Sequence, residues 1–208
     1  MTYAFILGRN KELSTAELGA FFKNKVTVAK HGLCAFVEGE LPALSPQDFL
    51  DRLGGSVEIL EIFERNVLFA DIEQKVTDFL KKKCATLTGK CTFGLNLLPV
   101  NKKSQVLKTF LPRIKKNLKT EGLSSGFVNN DFQNVNEVFA FKHGLHKLGT
   151  NIWMVEEGEG RVSLGSSVSA QNFEAYSKRD YGKPFRDAKA GMLPPKLAQV
   201  MINLAGID

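Results

Sequence analysis

Strand-type and helix-type spacings of apolar residues alternate through the first 66 positions, and their order is the feature that most limits the possible folds. The segments with strand-type spacing are residues 3–7, 26–28, 33–37 and 57–63. Between them, Ser14 and Glu17 form a capping box that predicts one helix, and Ser45-Pro46 predicts the start of another. The order strand, helix, two strands, helix, strand places two helices on one face of a small antiparallel sheet. We therefore expect an α+β unit at residues 1–66.

A second mixed pattern occupies residues 67–170. The predicted elements are helices at 71–83, 102–120 and 135–148 and strands at 92–98, 126–128, 151–155 and 161–168. Pro112 would remove a backbone hydrogen bond from the second of these helices, which predicts a kink or a later helix start. Residues 171–208 are predicted to form a linker that ends in a helix starting at Pro195.

Positive charge is concentrated on one side of the predicted helix at residues 102–120. The whole chain has 28 Lys and Arg against 22 Asp and Glu, a net charge of +6, and such an excess favours polyanionic partners through attraction to phosphates. The candidate RNA-binding lysines of this helix and of the preceding one are Lys81, Lys82, Lys83, Lys102, Lys103, Lys108, Lys115, Lys116 and Lys119. A solvated helix face with cations near a helix C-terminus would give the same pattern.

Six phenylalanines of the second pattern are also open to two interpretations. They are Phe93, Phe110, Phe127, Phe132, Phe139 and Phe141. Exposed aromatic rings can stack on the bases of single-stranded RNA. Because large aromatic side chains are mostly buried, however, we expect at least four of the six to pack in the core.

The positions of the cysteines and histidines argue against a metal site. Cys34, Cys84 and Cys91 are odd in number and include no C-x-x-C pair, so we expect reduced, mostly buried thiols and neither a disulfide framework nor a zinc site. His143 and His146 lie three residues apart on a predicted helix. No third ligand accompanies them, so a surface or capping pair is expected.

The chain contains no candidate membrane span or signal peptide. No apolar stretch reaches the roughly 18 to 20 residues that a membrane-spanning helix needs. Charged Arg9 and Lys11 interrupt the start of the chain before the apolar core of a signal peptide develops. The sequence therefore predicts a cytoplasmic protein without a membrane partner.

The segment from Arg179 to Ala205 contains R-D-Y-G-K-P-F-R-D followed by G-M-L-P-P-K-L-A-Q-V-M-I-N-L-A. This string resembles the linker of archaeal and bacterial THUMP-containing RNA methyltransferases of the guanosine-2-amino type. A weaker resemblance extends to residues 5–10 and 13–18, and to residues 165–168 with the following Gln171-Asn172. The resemblance therefore covers most of the chain.

The resemblance implies a division of labour between domains. In that family, a ferredoxin-like domain and a THUMP domain hold the tRNA, and a Rossmann-like domain binds S-adenosylmethionine and methylates the exocyclic amine of a guanosine. It implies here a ferredoxin-like N-terminal domain at residues 1–66, a THUMP-like RNA-binding domain at 67–170, and a linker with the first helix of the next domain at 171–208. The implied partner is tRNA.

The resemblance also assigns roles in the linker. Arg179 and Arg186 are candidate RNA contacts, because an arginine guanidinium can grip a phosphate with two hydrogen bonds. In relatives, the segment that matches residues 191–196 packs beside the cofactor pocket. The linker and cofactor-adjacent residues are Asp180, Asp187, Gly191, Pro194, Pro195 and Lys196. The two Arg-Asp pairs of this segment can alternatively bond to one another and only stiffen the linker.

Two motifs of that family are missing from the sequence. One is an acidic, glycine-rich turn of the D-P-F-C-G-S-G type, and the other is D-P-P-Y or N-P-P-Y. The first lets the backbone approach the cofactor, and the second accepts a hydrogen bond from the target amine. We therefore expect no Rossmann-like methyltransferase domain, no bound cofactor and no catalytic residue in this chain. The missing domain would be supplied in cis or as a separate subunit, with S-adenosylmethionine bound only in the full-length parent.

Two other functions stay open at this point. The chain can be the accessory part of a DNA methylase, although the THUMP-like middle favours RNA. It can also be a freestanding interaction module that docks on a separate catalytic subunit through the apolar face of its last helix. That face consists of Leu197, Val200, Met201 and Leu204.

Overall fold

A computed structural model describes residues 1–23, 25–42, 45–99, 103–182 and 192–206. Its strands are β1 (Thr2–Leu7), β2 (Val26–Val28), β3 (Cys34–Glu38), β4 (Ser56–Leu68), β5 (Cys91–Leu98), β6 (Ser125–Phe127), β7 (Asn151–Gly158) and β8 (Arg161–Ala170). Its helices are α1 (Lys11–Phe22), α2 (Pro46–Arg52), α3 (Ile72–Ala85), α4 (Lys103–Thr120), α5 (Glu137–Lys142), α6 (Leu145–Leu148), α7 (Phe173–Tyr181) and α8 (Pro195–Ala205). The predicted α+β fold class is confirmed.

The strands form one sheet in the order β2-β3-β1-β4-β8-β7-β5-β6. Neighbours are antiparallel except around β5, which is parallel to both β6 and β7. The 13-residue strand β4 joins the two halves, because it pairs with β1 on one side and with β8 on the other. The predicted boundary after residue 66 falls inside this strand. The division of the chain into domains stays a prediction.

The N-terminal elements follow the predicted order, but α1 begins earlier than expected. The side chain of Asn10 accepts a hydrogen bond from the Leu13 amide and caps the helix. The predicted capping box at Ser14 and Glu17 is therefore wrong, since both residues lie within the helix and are buried. Glu17 instead accepts hydrogen bonds from backbone amides 37 and 38 residues away. A tertiary contact has replaced the local one.

The four α-helices that precede β6, α1 to α4, all lie on one face of the sheet. Ile6 and Trp153 belong to the same apolar cluster, so they point to the same face. Successive side chains of a strand alternate between faces, and their neighbours Phe5 and Met154 therefore both point to the opposite face. There Phe5 packs in the cluster that contains α1 and α2, and Met154 packs in the cluster that contains α3 and α4.

Three predictions about the second half of the chain are corrected by the structure. Helix α4 continues through Pro112, so the predicted late start is wrong. Leu111, before the proline, and Ile114, after it, are both buried and hold the helix against the core. The predicted helix at 135–148 is divided into α5 and α6 at Gly144, which has a φ of 63°. Part of the predicted linker forms helix α7.

The expectation of three reduced cysteines is also wrong. Cys84 at the end of α3 and Cys91 at the start of β5 form a disulfide, with their Cα atoms 5.3 Å apart. The short loop between α3 and β5 reverses the chain direction and brings the two cysteines together. Their spacing in the sequence alone does not show this. Cys34 is free and buried, as expected. Among the described residues, no helix is long and apolar enough to cross a membrane.

Candidate nucleic-acid interface

Helix α4 separates apolar and cationic residues cleanly between its two sides. Its buried side packs against α3 and the sheet through Leu107, Leu111, Ile114 and Leu118. Its exposed side carries Lys108, Lys115, Lys116 and Lys119. Residues 108 to 119 cover roughly 16 Å of helix length at about 1.5 Å per residue. Because the apolar side of α4 is packed against the core, the lysines on the opposite side form a row that faces water.

Most of these cations are not neutralised by neighbouring carboxylates. Within the part of the chain that the structure describes, four exposed lysines of α4 make no ion pair. They are Lys108, Lys115, Lys116 and Lys119, and they are called the cationic surface below. Grouped cations without counterions create a positive potential that attracts a polyanion.

Other predicted lysines on these helices have protein partners. Lys81 forms an ion pair with Glu121. Lys83 is half-buried, and its ammonium lies 5.5 Å from the centre of the Phe79 ring. The backbone of Lys103 begins α4, whereas Lys102 lies outside the described residues. Lys82 is exposed without an ion pair, but it lies two turns after Lys75, whose partner Glu64 is on β4, and so it is on the side of α3 away from α4. Lys81 and Lys83 have partners within the fold.

Two phenylalanine rings lie beside lysines of the cationic surface. The Lys108 ammonium is 6.0 Å from the Phe132 ring centre, and that of Lys115 is 5.9 Å from Phe127. Both rings pack against the main apolar cluster, which also contains Phe93 and Phe110. The prediction that at least four of the six phenylalanines pack in the core is confirmed. Phe127 and Phe132 are partly buried against this cluster, which is typical of core packing.

A cavity of about 300 Å³ lies at the C-terminal end of the cationic surface. Lys115 and Lys119 line one side, and the loop into β6 lines the other. Lys90 joins this end of the surface, because a Cβ built on Gly126 would lie 2.7 Å from its Cε atom. Sequence reasoning missed Lys90, since no local pattern signals packing between residues 36 positions apart.

The linker residues are placed away from the cationic surface by their contacts. The Arg179 guanidinium lies 4.3 Å from the centre of the Tyr176 ring and makes no ion pair with Asp180. Pro194 precedes α8 and Pro195 occupies its first turn. Lys196 donates a hydrogen bond to Gln171, and burial lowers the pKa of its ammonium. The predicted Arg186, Asp187 and Gly191 lie outside the described residues.

The two histidines do not form a metal site. His146 is buried on α6 with its ring stacked on Phe141, and burial lowers the pKa of its imidazole. His143 is exposed and lies against the Phe139 ring. No group of three or more His, Cys, Asp or Glu suited to a metal ion is found among the described residues. The expectation that both histidines lie at the surface or cap a helix is thus confirmed for His143 and wrong for the buried His146.

A buried polar network on the other face of the sheet was not predicted. Glu58 of β4 accepts hydrogen bonds from Asn151 Nδ2 at 2.9 Å and from Trp153 Nε1 at 3.1 Å. Asn96 extends the network by donating to Asn151 Oδ1 at 2.8 Å. Burial raises the pKa of Glu58 to about 7. Glu58, Asn96 and Asn151 are almost completely buried, which indicates a structural role.

The comparisons with known proteins give only a distant structural similarity. No family model matches the chain, and no curated protein matches it. The crystal structure of PH1313 from Pyrococcus horikoshii Ot3 is similar with a TM-score of 0.45 and 12% identity, covering 79% of this chain and 53% of that one. A 4-thiouridine synthetase–RNA complex with bound ATP is similar with a TM-score of 0.44 and 14% identity, covering 80% of this chain and 40% of that one. This chain thus spans about half or less of either protein.

Proposed function

We propose that this chain binds RNA through the cationic surface. The observation that carries the proposal is the row of unneutralised lysines held on the outer side of α4. Each lysine that contacts a phosphate releases condensed counterions and adds to affinity. The neighbouring pairs Lys81–Glu121 and Arg113–Glu73 stabilise the contact between the two helices and leave the remaining cations available.

We further propose that the RNA is tRNA and that the chain recruits it for an S-adenosylmethionine-dependent guanosine-2-amino methyltransferase. The support is the linker string from Arg179 to Ala205, which resembles that family. The cofactor and the catalytic motifs would reside in a Rossmann-like domain outside this chain, present in cis or as a separate subunit. This chain would then hold and orient the tRNA without transferring the methyl group itself.

A competition experiment tests the proposal and separates RNA from DNA. Labelled tRNA is bound to the chain at fixed salt and displaced with unlabelled tRNA or with duplex DNA of equal length. The proposal predicts that tRNA competes at a clearly lower concentration than the DNA. Equal competition would contradict it and would favour the accessory part of a DNA methylase, because attraction to phosphates alone does not distinguish the two polymers.

A second candidate function is docking on a catalytic subunit through α8. Val200 of the predicted apolar face is buried against the body of the protein, so that part of the prediction is wrong. Met201 and Leu204 are exposed, and so is Ile202. Exposed apolar side chains on one helix are typical of an interaction surface. This function predicts binding to a methyltransferase domain that persists when the lysines of the cationic surface are replaced.

A further inference from the structure

A cleft of about 420 Å³ lies between the start of α1 and the start of α8, away from the cationic surface. Its volume is within the range of roughly 300 to 1,000 Å³ that small-molecule sites occupy. Its walls come from the residues that join β1 to α1, from the turn at Gly54 and Gly55, and from the start of α8. Most of the wall is apolar, and its two charged side chains are Arg9, before α1, and Lys196, on α8.

The walls of the cleft are fixed before any ligand arrives. Helix α8 is held on successive turns: Lys196 donates to Gln171, Gln199 donates to the Asp51 carbonyl, and Asn203 donates to Glu17. Its close approach requires a glycine, because a Cβ on Gly54 would lie 2.1 Å from the Lys196 carbonyl oxygen. A preformed site loses little conformational entropy when it binds a ligand.

The charge of the lining selects an anion. The described lining residues include two cations, Arg9 and Lys196, and no carboxylate. The Arg9 side chain is exposed and makes no hydrogen bond or ion pair with the described residues. A free guanidinium can grip a phosphate with two parallel hydrogen bonds. Lys196 is already bonded to Gln171, so Arg9 is the group available for the anion.

The apolar part of the cleft favours an uncharged, weakly polar group beside that anion. Leu13, Val57 and Leu197 are half-buried and line the interior together with Pro194. Asn10 lies exposed at the rim, and its amide can hydrogen-bond to the edge of a base. A flat group with polar edges attached to a phosphate is the chemistry of a nucleotide.

We propose that this cleft binds one unstacked nucleotide, with its base between α1 and α8 and its phosphate on Arg9. The nucleotide can belong to a single-stranded part of a bound RNA or be a free mononucleotide. The first source fits the fold, because α1 lies on the same face of the sheet as α3 and α4. The site itself does not depend on the RNA function proposed above.

The test is a titration of the whole chain with guanosine 5′-monophosphate, followed through the backbone amide signals in NMR spectra. We expect saturable shifts at the amides of Gly8, Gly55 and Leu197. Replacing Arg9 with Ala should weaken binding about tenfold, the effect of losing one charged hydrogen-bonding group. The matched control is Lys25→Ala, which removes an exposed cation directly before strand β2. It should leave the affinity unchanged.

A second variant and two RNA arms complete the experiment. Leu13→Glu places a carboxylate in the cleft at the first turn of α1, where an acidic residue suits the helix, and should abolish the shifts in a folded chain. A hairpin RNA with a single-stranded tail should shift the cleft amides more than the same hairpin without a tail if RNA is the source. Shifts with the mononucleotide alone would assign a free nucleotide.

The outcomes keep the two proposals separate. Absence of saturable shifts at the cleft amides with the mononucleotide and with both RNAs would overturn the nucleotide site, even if RNA binds to the cationic surface. Shifts that survive Arg9→Ala and Leu13→Glu would overturn it as well. Mononucleotide binding at the cleft without RNA binding by the chain would support this site and contradict the proposed RNA function.

Discussion

A single buried carboxyl group links the stability of the fold to pH. The pKa of Glu58 lies at about 7, compared with 4.5 for an unperturbed glutamate, because burial disfavours the charged form. A raised carboxyl pKa contributes stability that is present below the unfolded value and is lost as pH rises through the folded value. The loss therefore falls between about pH 4.5 and pH 7. The free energy of unfolding that is lost is at most on the order of 3 kcal/mol.

Replacing Glu58 with Gln should remove this part of the pH dependence. The amide oxygen can still accept from Asn151 and Trp153, but the side chain no longer ionises. Between pH 5 and pH 8, the wild-type chain should lose stability relative to Glu58→Gln in urea denaturation. Glu61→Gln, an exposed change on the same strand, is the control and should follow the wild type. Parallel profiles for wild type and Glu58→Gln would contradict the account.

Residues differ in how far their sequence neighbours reveal their roles. The α4 lysines were predictable, because helical spacing alone separates them from the buried leucines. Glu58 and Glu17 were not, because their partners come from strands and helices distant in the chain. In an alternating segment, Glu58 is expected to face water. In the eight-stranded sheet, the second face of β4 is covered as well, and Glu58 points into it.

At the scale of elements, α8 is attached to the N-terminal half by side chains and not only by apolar contact. Asn203 Nδ2 lies 2.6 Å from Glu17 Oε1 and 2.8 Å from the Arg52 carbonyl oxygen. Burial raises the pKa of Glu17, and the bonds from Gly54 and Asn203 oppose that rise. The helix is therefore held by a polar group that is costly to leave unpaired.

The change Asn203→Ala should loosen α8 without unfolding the sheet. A lost hydrogen bond to a buried carboxyl group costs roughly 1.5–3 kcal/mol, so amide hydrogens of α8 should exchange at least about tenfold faster. Amides of β1 and β4 should keep their protection. Ile202→Ala alters an exposed neighbour on the same helix and serves as the control. Unchanged exchange in Asn203→Ala would show that apolar packing alone holds the helix.

The order of strands and helices was largely predictable from apolar spacing, whereas the exact ends and breaks were not. The six N-terminal elements appear in the predicted order. Helix α7 was missed, because its charged sequence carries few apolar residues and its main anchor is Tyr176, which is buried against distant backbone. The break at Gly144 was missed because a glycine inside a helical pattern is often tolerated.

At the scale of the whole molecule, one continuous sheet carries two different surfaces on the same face. The cationic surface lies on α4, and the α1–α8 cleft lies at the other half of the sheet. Neither the single sheet nor the cleft follows from the sequence, since both depend on how β4 pairs with β8 and on how α8 folds back. Net charge indicated a polyanionic partner, but only the structure shows which cations lack counterions.

The salt dependence of tRNA binding by a Lys115→Ala/Lys119→Ala variant tests the central claim most directly. The control is Lys25→Ala/Lys147→Ala, which removes the same charge from exposed positions outside the cationic surface. If the surface contacts phosphates, the slope of log affinity against log salt should fall by about 2 in the first variant and stay at the wild-type value in the control. Equal slopes for both variants would mean that the chain attracts tRNA only through its net charge, and the cationic surface would not be the RNA site.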